Sequence, residues 1–154
     1  MARNQQVDSD RRQDTPGAVS RWMQRAMNGR MVRKVRRGRA TFMGMDVLVL
    51  HTLGRRSGLP RETPVSWFAD GDAWLVVASG GGSRQPAWHV NLMAHPEAAA
   101  IELSGGEAVP VTPHELHGAD RERAWRRITE AQPRFEKYQA KSGREYPVVR
   151  LARR

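Results

Sequence analysis

The 154-residue sequence holds no cysteine, which excludes disulfides, thiolate metal sites and cysteine nucleophiles. It has no apolar run near the roughly 20 residues that a bilayer-spanning helix needs. Its first residues are polar and charged and contain no apolar core of a secretory signal. The expectation is a cytoplasmic protein, with a peripheral position at the inner membrane face as a variant. Several catalytic signatures are missing too. The Gly-Lys-Ser/Thr ending of a P-loop is absent, and so is the GxGxxG spacing of a dinucleotide fold. His114-Glu115-Leu116-His117 places its histidines three apart, not four as on a zincin helix, and is expected to be a loop without metal. No carboxylate pair or Ser-His-Asp order stands out.

What is present is basic charge, unevenly spread. Residues 1–40 carry 11 Lys or Arg against 3 Asp, whereas residues 41–154 carry 15 basic against 13 acidic residues. The chain therefore divides into a basic N-terminal extension, 1–40, and a near-neutral compact domain, 41–154. Such an extension favours an anionic partner, of which a membrane surface and nucleic acid are two kinds. Residues 1–16 are expected to be disordered. Val19, Trp22, Met23, Ala26 and Met27 follow helical spacing, and Asn28-Gly29 looks like a stop. The expectation is a short amphipathic helix followed by a basic segment. Its Trp22/Met23/Met27 stripe should pack on the core, the alternative being weak attachment to an anionic membrane through residues 18–39.

The length suits one domain with its own core. Val47-Leu48-Val49-Leu50 predicts a strand over 46–52 buried on both faces. A second strand is expected over 62–69, a hairpin at Asp70-Gly71, and a third strand over 73–79. A helix from Pro86 to Ala94 follows a glycine loop. Further strands are expected over 98–103, 108–112 and 146–151, with helices from Asp120 to Ala131 and from Arg134 to Lys141. Hairpins with helices inserted between them indicate an antiparallel barrel or sandwich of about six strands in the α+β class.

Two loops carry the chemistry. In Gly54-Arg55-Arg56-Ser57-Gly58 with Arg61, glycines free the backbone to turn and arginines can fork onto phosphates or carboxylates. Ala78-Ser79-Gly80-Gly81-Gly82-Ser83 can approach a flat ring or a phosphate closely. Trp88 and Asn91 follow on the next helix. Trp88 suits either the core or a ligand wall, and His89 is expected at the surface.

Together these residues resemble the deazaflavin-dependent nitroreductase family. The resemblance rests on His51-Thr52-Leu53-Gly54-Arg55-Arg56-Ser57-Gly58-Leu59-Pro60-Arg61, Thr63-Pro64, Asp70-Gly71, Ala78-Ser79, and Pro86-Ala87-Trp88-His89-Val90-Asn91-Leu92 with Ala94-His95-Pro96. It implies a split β-barrel of mainly antiparallel strands with peripheral helices, binding reduced coenzyme F-420. It implies hydride transfer from that deazaflavin to a quinone, nitroaromatic or activated alkene. Arg55, Arg56, Ser57, Gly58 and Arg61 would then meet the phosphate and anionic tail. Ala78, Ser79, Gly80 and Gly81 would lie along the ring, with Pro86, Trp88 and Asn91 closing that side. Ser79 and Tyr138 are the implied catalytic residues, Tyr138 as proton donor. Flavin mononucleotide is the alternative cofactor, and a non-catalytic carrier is the alternative function. A nucleic-acid partner is not expected.

Overall fold

The computed structural model describes residues 18–38, 41–80 and 84–154, with side chains from residue 23 onward. The segments 1–17, 39–40 and 81–83 lie outside the described residues, as do the disorder expected over 1–16 and the placement of Gly81 and of the Trp22 side chain.

The elements run α1 (Ala18–Arg36), β1 (Thr41–Phe42), β2 (Met45–Leu53), β3 (Pro60–Asp70), β4 (Ala73–Val77) and α2 (Ala87–Ala94). A 3-10 turn over Pro96–Ala98 precedes β5 (Ala100–Glu102) and β6 (Val109–Glu115). The chain ends in α3 (Gly118–Ala131), α4 (Arg134–Ser142) and β7 (Val148–Arg153). Every strand pairing is antiparallel, in the order β1-β2-β3-β4-β7-β6-β5. A further β2–β5 pairing, Leu50 opposite Ile101, joins the two sides. β2 to β7 thus form a closed six-stranded barrel, and β1 extends β2 as a short hairpin. The barrel is the α+β architecture that the sequence indicates.

Side chains alternate with the pleat. Leu48, Leu50, Trp74, Val76, Val149 and Leu151 share one cluster, which Leu92 of α2 joins. Leu75, Val77 and Val148 turn the other way, against Ala124 and Ile128 of α3 and Phe135 of α4. The third layer corrects an expectation. Val47 and Val49 of β2 are covered by Val32 and Val35 of α1. α1 runs unbroken through Asn28-Gly29 for 19 residues. Gly within a helix costs about 1 kcal/mol, whereas burying a valine contributes about 1.5 kcal/mol; two buried valines outweigh the glycine. Of the anticipated stripe, Met23 and Met27 do not pack on the core: they are 53% and 63% exposed.

Other differences are local. β5 is shorter than expected because Pro96 starts a 3-10 turn. His114 and Glu115 are the end of β6, not a loop, paired with Arg150 and Val149. β7 begins directly after Pro147, so the proline sits at the strand start and costs no ladder bond, and the strand lies between β4 and β6. Asp70 closes the β3–β4 hairpin and accepts from Arg127 Nη1 at 2.7 Å and Arg150 Nε at 2.9 Å. Burial pushes its carboxyl up, but the two guanidinium groups outweigh burial and hold it below the ordinary value.

Candidate functional site

The basic turn between β2 and β3 is a closed loop. The Gly54 amide donates to the Leu59 carbonyl at 2.9 Å and the Gly58 amide to the Gly54 carbonyl at 2.8 Å. Ser57 Oγ accepts from the Leu59 amide at 3.2 Å. A Cβ on Gly54 would meet Ser57 Oγ at 2.5 Å, so a larger residue there would displace the Ser57 hydroxyl from its bond to the Leu59 amide. The Arg55 amide donates to Asn91 Oδ1 at 3.0 Å, which fastens the turn to α2.

Turn and helix face a cavity of about 710 Å³. Arg55, Arg56, Ser57 and Arg61 line it from one side, and Gly80, Pro86, Trp88 and Asn91 from another. Gln24, Arg25 and Asn28 of α1 also line it. Among the described residues, no acidic partner is recorded for Arg25, Arg55, Arg56 or Arg61. Four unpaired guanidinium groups around one trough attract an anion.

A second cavity, of about 550 Å³, adjoins the trough: Pro64 and Trp88 line both. This chamber is largely apolar. Phe42, Met43 and Met45 come from the β1–β2 hairpin, Val65 and Val77 from the barrel, and Phe135, Tyr138 and Tyr146 from the C-terminal part. Ser66, Ser79, Arg134, Lys141 and Ser142 add polar groups to it. Trp88 therefore separates a cationic trough from an apolar chamber, and it also packs on the barrel core.

The sequence-derived residues divide accordingly. Arg55, Arg56, Ser57, Arg61, Gly80, Pro86, Trp88 and Asn91 meet at the trough. Ser79 and Tyr138 meet at the chamber. Gly58, at φ +66°, shapes the turn but lines neither cavity. Ala78 is fully buried and lines neither; its amide donates to the Pro147 carbonyl at 2.9 Å. His89 is not at the surface. It is 4% exposed, and its Nε2 lies 2.8 Å from Glu115 Oε1, because the β6 end that was expected to be a loop carries the glutamate to α2.

One residue that sequence reasoning missed holds the glycine loop. Arg144 Nη2 donates to the carbonyls of Ser79 and Arg84 at 2.8 Å each, and both Nη atoms lie 3.3 Å from the Ala78 carbonyl. Its guanidinium stacks over the Tyr146 ring at 4.8 Å. The two ends of the Ser79–Arg84 segment are thereby drawn to one cation. Gly80 sits at φ +62°, and a Cβ there would meet the Arg84 carbonyl and Pro86 at 3.1 Å. With its carbonyl on Arg144 and its amide on the Val77 carbonyl at 3.0 Å, Ser79 keeps only its hydroxyl for the chamber. The sole sequence signal was a basic residue after Gly143, a helix-terminating glycine at φ +72°.

The chain is similar to several known proteins. An F420H(2)-dependent quinone reductase of Mycobacterium tuberculosis is 35% identical over 150 residues, covering 88% of this chain and 99% of that protein. The solved structure of an F420-H2 dependent reductase is 31% identical with a TM-score of 0.60, over 68% of this chain and 92% of that one. Another solved structure, a domain-swapped dimer, is 26% identical with a TM-score of 0.63, over 87% of this chain and 99% of that one. The family model described as F420H(2)-dependent quinone reductase matches residues 19–152. Nothing in these matches supports flavin mononucleotide as the cofactor. The chain belongs to the F420H(2)-dependent quinone reductase family.

Proposed function

We propose that this chain is an oxidoreductase that reduces a quinone with reduced coenzyme F-420, the quinone entering the apolar chamber. The observation that carries the assignment of space is the junction at Trp88, where a four-arginine trough meets an apolar chamber. The residues present fit a coenzyme with an anionic tail and a flat ring. The trough supplies unpaired cations, and the wall beside it is glycine and tryptophan rather than bulky charge.

When bound, the reduced deazaflavin supplies the hydride. Arg55, Arg56 and Arg61 hold the anionic part and fix its register. Trp88 sets the position of the ring, and Asn91 keeps the arginine turn against α2. Holding donor and acceptor in contact removes much of the entropic cost of a bimolecular step. The apolar side chains of the chamber take an apolar acceptor. A quinone that gains a hydride needs one proton to become the hydroquinone. Tyr138 lines the chamber at 44% exposure, so its hydroxyl can donate that proton and be reprotonated from solvent. The Ser79 hydroxyl orients the reacting oxygen. Nitroaromatics and activated alkenes are further candidate acceptors for the same chamber.

The exposed Met23 and Met27 lie on a helix that also exposes Arg30, Arg33 and Lys34. This supports weak contact with anionic membranes at the cytoplasmic face, which sedimentation with phosphatidylglycerol liposomes tests. The functional assignment is tested by titrating purified protein with coenzyme F-420 and following its fluorescence. Saturable micromolar binding is expected; its absence overturns the assignment.

A further inference from the structure

The trough has a wall that the barrel does not supply. α1 lays Arg25, Gln24 and Asn28 along it, facing the arginine turn. One carboxylate lines the same space: Glu62, next to Arg61 on β3. A free carboxylate there would repel an anion and compete for the arginines. It is not free. Arg36, in the last turn of α1, donates from Nη2 to Glu62 Oε1 at 2.7 Å. The same guanidinium reaches Glu102 Oε2 at 2.9 Å and Oε1 at 3.3 Å, and Glu102 Oε2 lies 2.7 Å from His51 Nε2.

His51, Glu62 and Glu102 bring their ligand atoms within 4.8 Å of one another, but Arg36 already fills the space between the two carboxylates, so the cluster is a tether and not a metal centre. Val32 and Val35, buried on Val47 and Val49, set the helix at the height that lets Arg36 reach them. A smaller cavity of about 330 Å³, which shares Arg25, Asn28 and Glu62 with the trough, continues along α1.

We propose that α1 is the second wall of the anion site: Arg25 contacts the ligand's negative groups, and Arg36 is a positioning residue that masks Glu62. The ligand class is a chain bearing several negative charges. Its identity as the coenzyme rests on the functional assignment above; its charge rests on the trough. Arg36 contributes through Glu62, so the two residues must be coupled, and this distinguishes masking from simple attachment of α1.

The test uses the full chain as wild type, Arg25→Glu, Arg36→Gln, Glu62→Gln and Arg36→Gln/Glu62→Gln. Each is titrated with coenzyme F-420 by fluorescence and with inorganic pyrophosphate by calorimetry, at low and high salt. Arg25→Glu should weaken both ligands about tenfold at low salt, and the loss should shrink as salt rises. Arg36→Gln should weaken them about threefold to tenfold. Glu62→Gln should bind at least as tightly as wild type, and the double variant should recover wild-type affinity. Wild-type affinity in Arg25→Glu overturns the proposal. So does weakened binding in Glu62→Gln, or a double variant as weak as Arg36→Gln, since Arg36 then only attaches the helix. If wild type binds pyrophosphate but not the coenzyme, the functional assignment falls and the anion wall stands. If it binds neither, both fall.

Discussion

Asn91 Oδ1 accepts the Arg55 amide at 3.0 Å, joining the arginine turn to α2 across 36 positions. Asn91 and Trp88 sit one helical turn apart on α2, so the bond sets the arginine turn against the wall of the ring site. Asn91→Ala should weaken coenzyme binding about tenfold, as expected for a lost hydrogen bond and a loosened loop, with far-UV circular dichroism unchanged. Wild-type affinity in a fluorescence titration would show that the turn holds its shape alone.

Arg144 should matter for the rate more than for the fold. Arg144→Ala removes the cation shared by the Ala78, Ser79 and Arg84 carbonyls. The loss expected in kcat/KM is roughly tenfold to a hundredfold, because Ser79 and the chamber wall lose their position. Arg144→Lys, which keeps the charge without the fork, should restore only part. Full restoration by lysine would argue for charge alone.

Tyr138→Phe keeps the ring in the chamber and removes the proposed proton donor. Quinone turnover should fall roughly a hundredfold, the usual scale for a general acid, while coenzyme affinity stays as it was. An equal loss in both would place Tyr138 in binding instead.

Acid should loosen the structure at two known points. The guanidinium of Arg36 holds Glu102 below the usual carboxylate range, against the upward push of burial. At Asp70 burial pushes upward, but Arg150 and Arg127 outweigh it. Both folded-state values lie below the unfolded ones. Their contribution is therefore present above the unfolded carboxylate range, near about pH 4, and is lost as the pH falls through the folded values. Asp70→Asn, which still suits the turn, should cost about 1 kcal/mol at neutral pH and nothing once the carboxylate is protonated in both states. Thermal melts from pH 7 to pH 3 would check this; a constant difference across that range would contradict it.

Local signals made the barrel and the basic turn legible. Val47–Leu50 announce a strand, Asp70-Gly71 a hairpin and Gly54 to Gly58 a turn, each within a few residues. Contacts across long separations did not. Arg144 meets Ser79 across 65 positions and Arg36 meets Glu102 across 66, and no spacing rule announces either. Gly29 gave the wrong local signal, because Val32 and Val35 find partners on β2 that the helix sequence does not reveal. His89 misled for the same reason: its partner is Glu115 on β6.

The most direct measurement mixes purified protein anaerobically with reduced coenzyme F-420 and menadione and follows the return of the oxidised deazaflavin's fluorescence. Oxidation should be proportional to protein concentration, saturate in both substrates and collapse when Arg55 and Arg56 are replaced by glutamate. Coenzyme that binds in the trough yet is oxidised no faster than without protein, by menadione or by any other quinone tried, would contradict the account.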